Sequence, residues 1–186
     1  MEICFAAPSD AEELLEIYSH YVKTTALSFE YTPPTTEEFR ARIENITKSY
    51  PYLVARVDGR AVGYVYAASF HPREAFKFCA EVSIYIHPDH RGGGVGRALY
   101  ERLEEILKMQ NVLVLYACIV TCDREDEHLP VGSVAFHSRM GYTKVGIHND
   151  SGYKFGKWYS VIWMEKNLAP RPTSPEGFIP VRDLSL

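Results

Sequence analysis

Ile3 and Phe5 alternate with polar neighbours, which predicts a short strand at the start of the chain. Leu14, Leu15, Ile17, Tyr18, Tyr21 and Val22 then recur at helical spacing and predict a helix to about Thr24. Its start reads as a capping box over Ser9-Asp10-Ala11-Glu12, with Ser9 as N-cap and Glu12 reaching back. A second capping box, Thr35-Thr36-Glu37-Glu38, opens a helix whose apolar stripe is Phe39, Ile43 and Ile46 and which ends before Pro51. Residues 52–57 and 61–68 read as strands joined by Asp58-Gly59, a two-residue hairpin signal. A loop over 70–78 precedes a strand at 82–86.

The strongest helical period lies at 95–110. Val95, Ala98, Leu99, Leu103, Ile106 and Leu107 form its apolar face. Arg97, Glu101, Glu104, Glu105 and Lys108 cover the other, with Glu104 and Lys108 spaced for an ion pair. Residues 112–120 are almost continuously apolar, the pattern of a strand buried on both faces and parallel to 82–86. Residues 82–120 thus form one strand–helix–strand unit. Asp123-Arg124-Glu125-Asp126-Glu127 reads as a solvated charged loop. A short helix follows at 133–140, ended by Gly141, and two strands at 144–148 and 155–166 close the pattern. From Asn167 onward Pro170, Pro172, Pro175 and Pro180 predict an extended tail, packing through Phe178, Ile179 and Leu184 on the body or on a second subunit. The expected organisation is one domain over 1–167 and a tail over 168–186.

Composition narrows this picture. With 186 residues, 46% hydrophobic and 24% charged, the chain can bury a core without staples. A net charge of -4 and a pI near 6.0 argue against nucleic acid or an anionic membrane as partner. No apolar run is long enough to span a bilayer, and the first residues lack a signal-peptide layout. Cys4, Cys79, Cys118 and Cys122 show no metal-ligand spacing, so they are expected to be reduced, mostly buried thiols in a cytoplasmic protein with no metal site.

The candidate chemistry centres on Arg91-Gly92-Gly93-Gly94-Val95-Gly96, between a strand and a helix. Bare amides at a helix N-terminus, backed by the helix dipole, bind anions. A P-loop needs Lys-Ser/Thr after its last glycine, and here Arg97-Ala98 follows. A dinucleotide fingerprint needs a different glycine spacing and an acidic residue after the next strand, where Val120-Thr121 stand. Arg-x-x-Gly-x-Gly is met by Arg91, Gly94 and Gly96; a plain tight turn also accounts for the glycines. One strand earlier, Glu81 lies between Ala80 and Val82. A carboxylate among apolar neighbours has the raised pKa of a general base, and a solvent-facing edge glutamate is the alternative.

With this loop late in a β-α-α-β-β-β-α-β-α-β-β order, residues 3–166 resemble the GCN5-related N-acetyltransferase (GNAT) superfamily. Further matches narrow the resemblance to its phosphinothricin N-acetyltransferase-like family. They are Ser28-Phe29 before Pro33-Pro34, Tyr50-Pro51-Tyr52-Leu53-Val54-Ala55, Val57-Asp58-Gly59, Ala80-Glu81-Val82-Ser83-Ile84-Tyr85, Ser133-Val134 with His137, Gly141-Tyr142, and Gly156-Lys157-Trp158 with Trp163. The resemblance implies an α/β (α+β) fold with a mixed sheet of about seven strands and flanking helices. It also implies acetyl-CoA as co-substrate, a small amino-acid-like amine as acceptor, and a homodimer.

By residue, the resemblance puts the catalytic glutamate at Glu81. At His137 it places a histidine that acts as imidazolium donor to the leaving thiolate or as neutral base; a structural histidine on the apolar face of a short helix is the alternative. Backbone groups of Ile84, Tyr85 and Ile86, with Ser133, hold pantetheine; Arg91, Gly92, Gly93, Gly94, Val95 and Gly96 hold the pyrophosphate. Phe29, Arg73 and Phe76 face the acceptor. His71 stands where that family has lysine, Phe76 where it has tyrosine, and Pro130-Val131-Gly132-Ser133 where it has Asn-x-x-Ser. Acetylation of another amine, such as a polyamine or a protein N-terminus, and a non-catalytic acyl-CoA sensor are the competing readings.

Overall fold

The computed structural model describes residues 1–122 and 126–185. Its elements run β1 (Glu2–Phe5), α1 (Ala11–Thr24), α2 (Thr36–Thr47), β2 (Tyr52–Val57), β3 (Arg60–Ser69), β4 (Cys79–Ile86), α3 (Val95–Met109), β5 (Val114–Thr121), α4 (Ser133–Arg139), β6 (Thr143–Lys154) and β7 (Lys157–Asn167). The seven strands form one sheet in the order β1-β2-β3-β4-β5-β7-β6. Only β4 and β5 pair in parallel; the other neighbours are antiparallel. Helices cover both faces. Leu14, Ile17, Tyr21, Phe39 and Ile43 of α1 and α2 pack on one side, and Leu99, Leu103, Ile106 and Leu107 of α3 on the other.

Local chemistry explains most of the boundaries. Asp58 and Gly59 take φ values of 50° and 80°, the mirror-image turn that matches strand twist in a two-residue hairpin. At Thr35 the expected capping box forms: its side chain accepts from the Glu38 amide while Glu38 accepts from the Thr35 amide. The expected box at Ser9 does not form. Residues Pro8–Asp10 make a 3₁₀ turn, Asp10 takes the Ala7 amide at 2.8 Å, and α1 starts only at Ala11. Proline at the turn's first position favours this tighter start.

Five further expectations are corrected. Strand β4 begins at Cys79 rather than Val82, and β6 runs to Lys154 because its turn is Phe155-Gly156, so Phe155 lies outside β7. Glu104 makes no pair with Lys108; it is buried and both its oxygens lie 2.7 Å from Lys166 Nζ. The cysteines are not mostly buried: Cys118 is exposed and the other three are half-buried. Strand β5 is buried on both faces only at its start, since from Tyr116 onward it borders a cleft. The charged loop reading at 123–125 falls outside the described residues.

The proline-rich end lies on the body. Phe178 packs on Tyr50, Val181 is buried in the α3-side core, and the Gln110 amide donates to the carbonyls of Ser49 and Ile179. One 3₁₀ turn at Val181–Asp183 interrupts the extended path. Among the described residues no helix is long and apolar enough to cross a membrane.

Candidate active site

Strands β4 and β5 pair only from Cys79 to Glu81 against Val114 to Tyr116. Beyond that point each continues alone, to Ile86 and Thr121, and the sheet opens into a wedge. The edge of β4 inside the wedge has a defined set of backbone groups. His87 donates to Val62 on β3, so alternation turns the amides and carbonyls of Val82, Ile84 and Ile86 toward the gap. This is the geometry that lets an extended amide chain pair as a pseudo-strand.

At the wide end of the wedge lies a cavity of about 410 Å³. Arg91, Gly92, Gly94, Gly96 and Arg97 form one wall, Ile84 and Ile86 a second, and Gly132, Ser133, Phe136 and His137 a third. Gly92 and Gly94 hold φ values of 79° and 83°, and Gly94 is the N-cap of α3. Side chains rarely adopt that backbone region, so glycine is what allows the loop to turn its amides toward the cavity. The first amides of α3 have no acceptor within the helix. Gly96 lets α3 approach α4: a Cβ there would sit 3.3 Å from the Phe136 ring. Gly93 and Val95 complete the loop, with Val95 buried and Gly93 exposed.

One expected group is already engaged. The Tyr21 hydroxyl donates to the Ile86 carbonyl at 2.5 Å and accepts from the Ile86 amide at 3.1 Å. The Arg91 guanidinium lies over the Tyr21 ring, 5.2 Å from its centroid. Ile84 is therefore the member of the expected trio whose backbone groups stay open to the gap. Tyr85 directs its backbone to β3 and its ring to α1, against Tyr18 and Tyr21.

Glu81 sits where the wedge opens, paired with Ala68 on β3 and Tyr116 on β5. It is half-buried, and burial alone pushes its carboxyl above the usual glutamate range. No ion pair holds it among the described residues. Although Cys118 is exposed as a residue, partial shielding of its sulfur and the neighbouring Glu81 charge push the thiol up to about 11.

His137 is buried at the wedge's inner end, in a cavity of about 70 Å³ shared with Tyr100, Ser83 and Cys118. Its Nδ1 lies 2.8 Å from the Ser133 carbonyl, which only accepts, so Nδ1 carries the hydrogen. Nε2, 2.7 Å from the Tyr100 hydroxyl, then accepts from it. Burial lowers the histidine's pKa, against the weaker upward pull of the carbonyl bond. The ring described here is neutral with both nitrogens engaged.

The acceptor-side residues separate. Arg73 is exposed, without an ion pair among the described residues, on the loop between β3 and β4. Phe76 is also exposed and touches His71 and Phe70. Phe70 in turn stacks on Tyr116 at 4.2 Å, beside Glu81's partner position. Phe29 lines none of these cavities. Its ring fills the space over Gly152, where any Cβ would come within 2.2 Å, and it tilts against Tyr159. Its segment is fixed by a residue that carried no local sequence signal. The Lys154 ammonium is buried and donates to the carbonyls of Val22, Thr25 and Ser28 at 2.8, 2.9 and 2.6 Å.

A model of the acetyltransferase (GNAT) domain matches residues 3–163. The chain belongs to the GNAT acetyltransferase family. It is similar to phosphinothricin N-acetyltransferase of Alcaligenes faecalis, 36% identical over 169 residues, or 90% of this chain and 83% of that protein. It is 30% identical to the L-methionine sulfoximine/L-methionine sulfone acetyltransferase of Salmonella typhimurium, over 90% of this chain and 95% of that one. A solved GNAT superfamily phosphinothricin acetyltransferase from Sinorhizobium meliloti, in complex with AcCoA, superposes with a TM-score of 0.87 at 32% identity. That match covers 97% of this chain and 96% of the other.

This GNAT chain is accordingly an acetyl-CoA-dependent N-acetyltransferase. Its residues fit that co-substrate. The loop offers positive-φ glycines, uncapped helix amides and Arg91 for a pyrophosphate, and the open β4 edge offers amide partners for pantetheine.

Proposed function

We propose that the chain acetylates the amine of a small amino-acid-like acceptor, of the phosphinothricin or methionine sulfoximine type, by direct transfer with Glu81 as general base. The observation that carries this is Glu81 itself: a half-buried carboxyl without a cationic partner, its pKa raised by burial, at the fork of β4 and β5. The thioester of acetyl-CoA supplies the acyl group. An amine with a pKa of about 10.4 reaches the site mostly protonated, and presenting it neutral at pH 7 costs on the order of 4–5 kcal/mol. Glu81 offsets part of that cost by taking the ammonium proton. A carboxyl of raised pKa holds that proton better near neutrality than an ordinary one does.

His137 then has a positioning role. Its neutral ring, with Nδ1–H on Ser133, holds the Tyr100 hydroxyl hydrogen at Nε2, and both residues line the inner cavity. Burial pushes the Tyr100 phenol far above its ordinary range. Its one hydrogen is held by His137 Nε2, so Tyr100 supplies none to the leaving CoA thiolate, which takes its proton from solvent. Arg73 and Phe76 border the acceptor from the loop side, and Phe29 shapes the wall indirectly by anchoring residues 25–31. The free thiols of Cys4, Cys79 and Cys118 support a reducing, cytoplasmic setting. Exposed Val145 and Ile147 on edge strand β6, with Trp158 on β7, support a homodimer, which sedimentation would test.

The test is an amine panel scored by free CoA thiol: phosphinothricin, methionine sulfoximine, methionine sulfone, a polyamine and an N-terminal peptide. Turnover restricted to the amino-acid-like members supports the reading. Turnover of the polyamine or peptide alone overturns the acceptor assignment, and acetyl-CoA binding without thiol release from any amine overturns the enzyme reading.

A further inference from the structure

A third cavity, of about 270 Å³, lies under α2 on the Glu81 side of the sheet. The phenols of Tyr18, Tyr52, Tyr64, Tyr66 and Tyr85 line it together with apolar and polar side chains of α2, among them the Arg42 guanidinium. Tyr18 pairs with Ser28 at 2.9 Å. The Tyr64 phenol is in hydrogen-bond reach of Tyr52, and neither the Tyr64 nor the Tyr85 hydroxyl is a sealed, unpartnered group. Burial holds both well above the usual tyrosine range, so they remain neutral donors. The volume is many times that of a water and just under the range of a whole ligand site, which suits one part of a ligand.

Strand register relates this cavity to the base. Glu81 faces Ala68, Ser83 faces Tyr66, and Tyr85 faces Tyr64. The cavity thus begins one residue pair beyond Glu81, while the loop bearing Arg73 begins at the opposite end. The Tyr66 phenol is the shared wall, within electrostatic range of both Glu81 and Arg42. An α-amino acid whose nitrogen meets Glu81 has two further groups to place. The carboxylate has Arg73 on one side, and the side chain has the tyrosine cavity on the other. Arg42 is occupied in this state by Glu30, 2.8 Å away, on the segment joining α1 to α2. Both partners are partly exposed, so an incoming anion can replace the Glu30 carboxylate at modest cost.

We propose that this cavity receives the acceptor's side chain and that Arg42 binds an anionic tip, a carboxylate or phosphinate, in exchange for Glu30. This rests on the amino-acid acceptor reading above and adds a charge-selective subsite to it. The experiment is calorimetric titration of L-phosphinothricin, and of L-norleucine as its apolar counterpart, into the CoA-saturated protein. Wild type, Arg42→Met, Arg42→Lys and Glu30→Gln are compared, with thermal melts confirming that each is folded. Losing a hydrogen bond to a charged group should weaken phosphinothricin about tenfold or more in Arg42→Met, with partial recovery in Arg42→Lys. Glu30→Gln should tighten it several-fold, and norleucine should bind all four proteins alike.

Equal phosphinothricin affinity in all four overturns the proposal, as does no binding to wild type. Weakening by both Arg42→Met and Glu30→Gln would also overturn it, by making the pair structural only. Turnover is scored separately. Acetyl transfer without Arg42-dependent binding refutes the subsite alone, and Arg42-dependent binding without acetyl transfer refutes the acceptor reading alone.

Discussion

Replacing Lys154 with methionine keeps the methylene stem and removes the ammonium. In the native protein that ammonium is buried and donates to three carbonyls: Val22 in the last turn of α1, and Thr25 and Ser28 just beyond it. A cation at a helix C-terminus also meets the negative end of the dipole. Hydrogen bonds to a charged group contribute about 1.5 kcal/mol each at the low end, so three amount to roughly 4–5 kcal/mol. Relief from burying the ammonium offsets part of this, as its lowered pKa indicates. A net loss of about 3 kcal/mol follows, and at about 2–4 °C per kcal/mol for a chain of this size the melting temperature should fall by ~6–12 °C. Scanning calorimetry at pH 7 is the assay. Because Lys154 fixes the segment carrying Phe29, kcat/KM for the amine should fall further than the KM for acetyl-CoA rises. A melting temperature within about 2 °C of wild type would refute the reasoning, since the three carbonyls would then have found other partners at no cost.

Three further outcomes are expected. Gly94→Ala places a side chain at φ 83°, so stability should drop by about 1–2 kcal/mol and the KM for acetyl-CoA should rise several-fold; an unchanged KM would disconnect the loop from cofactor binding. Tyr21→Phe frees both backbone groups of Ile86, so CoA should bind roughly 2–10-fold tighter by calorimetry; weaker binding would mean that the hydroxyl itself grips the cofactor. Glu81→Gln should raise stability at pH 8. The folded pKa of Glu81 lies above its unfolded value of 4.5, so the folded state holds more protons between the two and wild type loses stability as pH rises through that window. The two proteins should melt alike at pH 4, and a gap that persists there would point to another cause.

Local rules were enough for α2, α3 and the β2–β3 hairpin. The α3 stripe, the Thr35 box and the Asp58-Gly59 turn are decided by residues within a few positions, and they form as read. Where a long-range partner decides, the sequence was silent. Glu104 lies on what reads as the polar face of α3, yet Lys166, 62 positions away, draws it inside. Lys154 looks like any lysine before a turn until α1 delivers three carbonyls to it. Within the site, the glycine loop and Glu81 were legible because spacing and apolar neighbours mark them. Tyr21, Tyr100 and the tyrosine cavity were not, since an aromatic at helical or strand period reads as core. Only the fork between β4 and β5 turns some of those rings into cleft walls. His137 shows the reverse: its type suggested proton transfer, while the structure engages both its nitrogens, which is the basis of the positioning role proposed above.

The central claim, that Glu81 is the base of an acetyl transfer, is tested most directly by kcat/KM against pH for wild type and Glu81→Gln on the best acceptor from the panel. The account predicts a wild-type acid limb at a pKa above the ordinary glutamate value of 4.5, with activity rising as the carboxyl ionises. It predicts that Glu81→Gln loses both that limb and about a hundredfold or more of the rate near pH 7. An unshifted limb with near-wild-type rates in Glu81→Gln would contradict it.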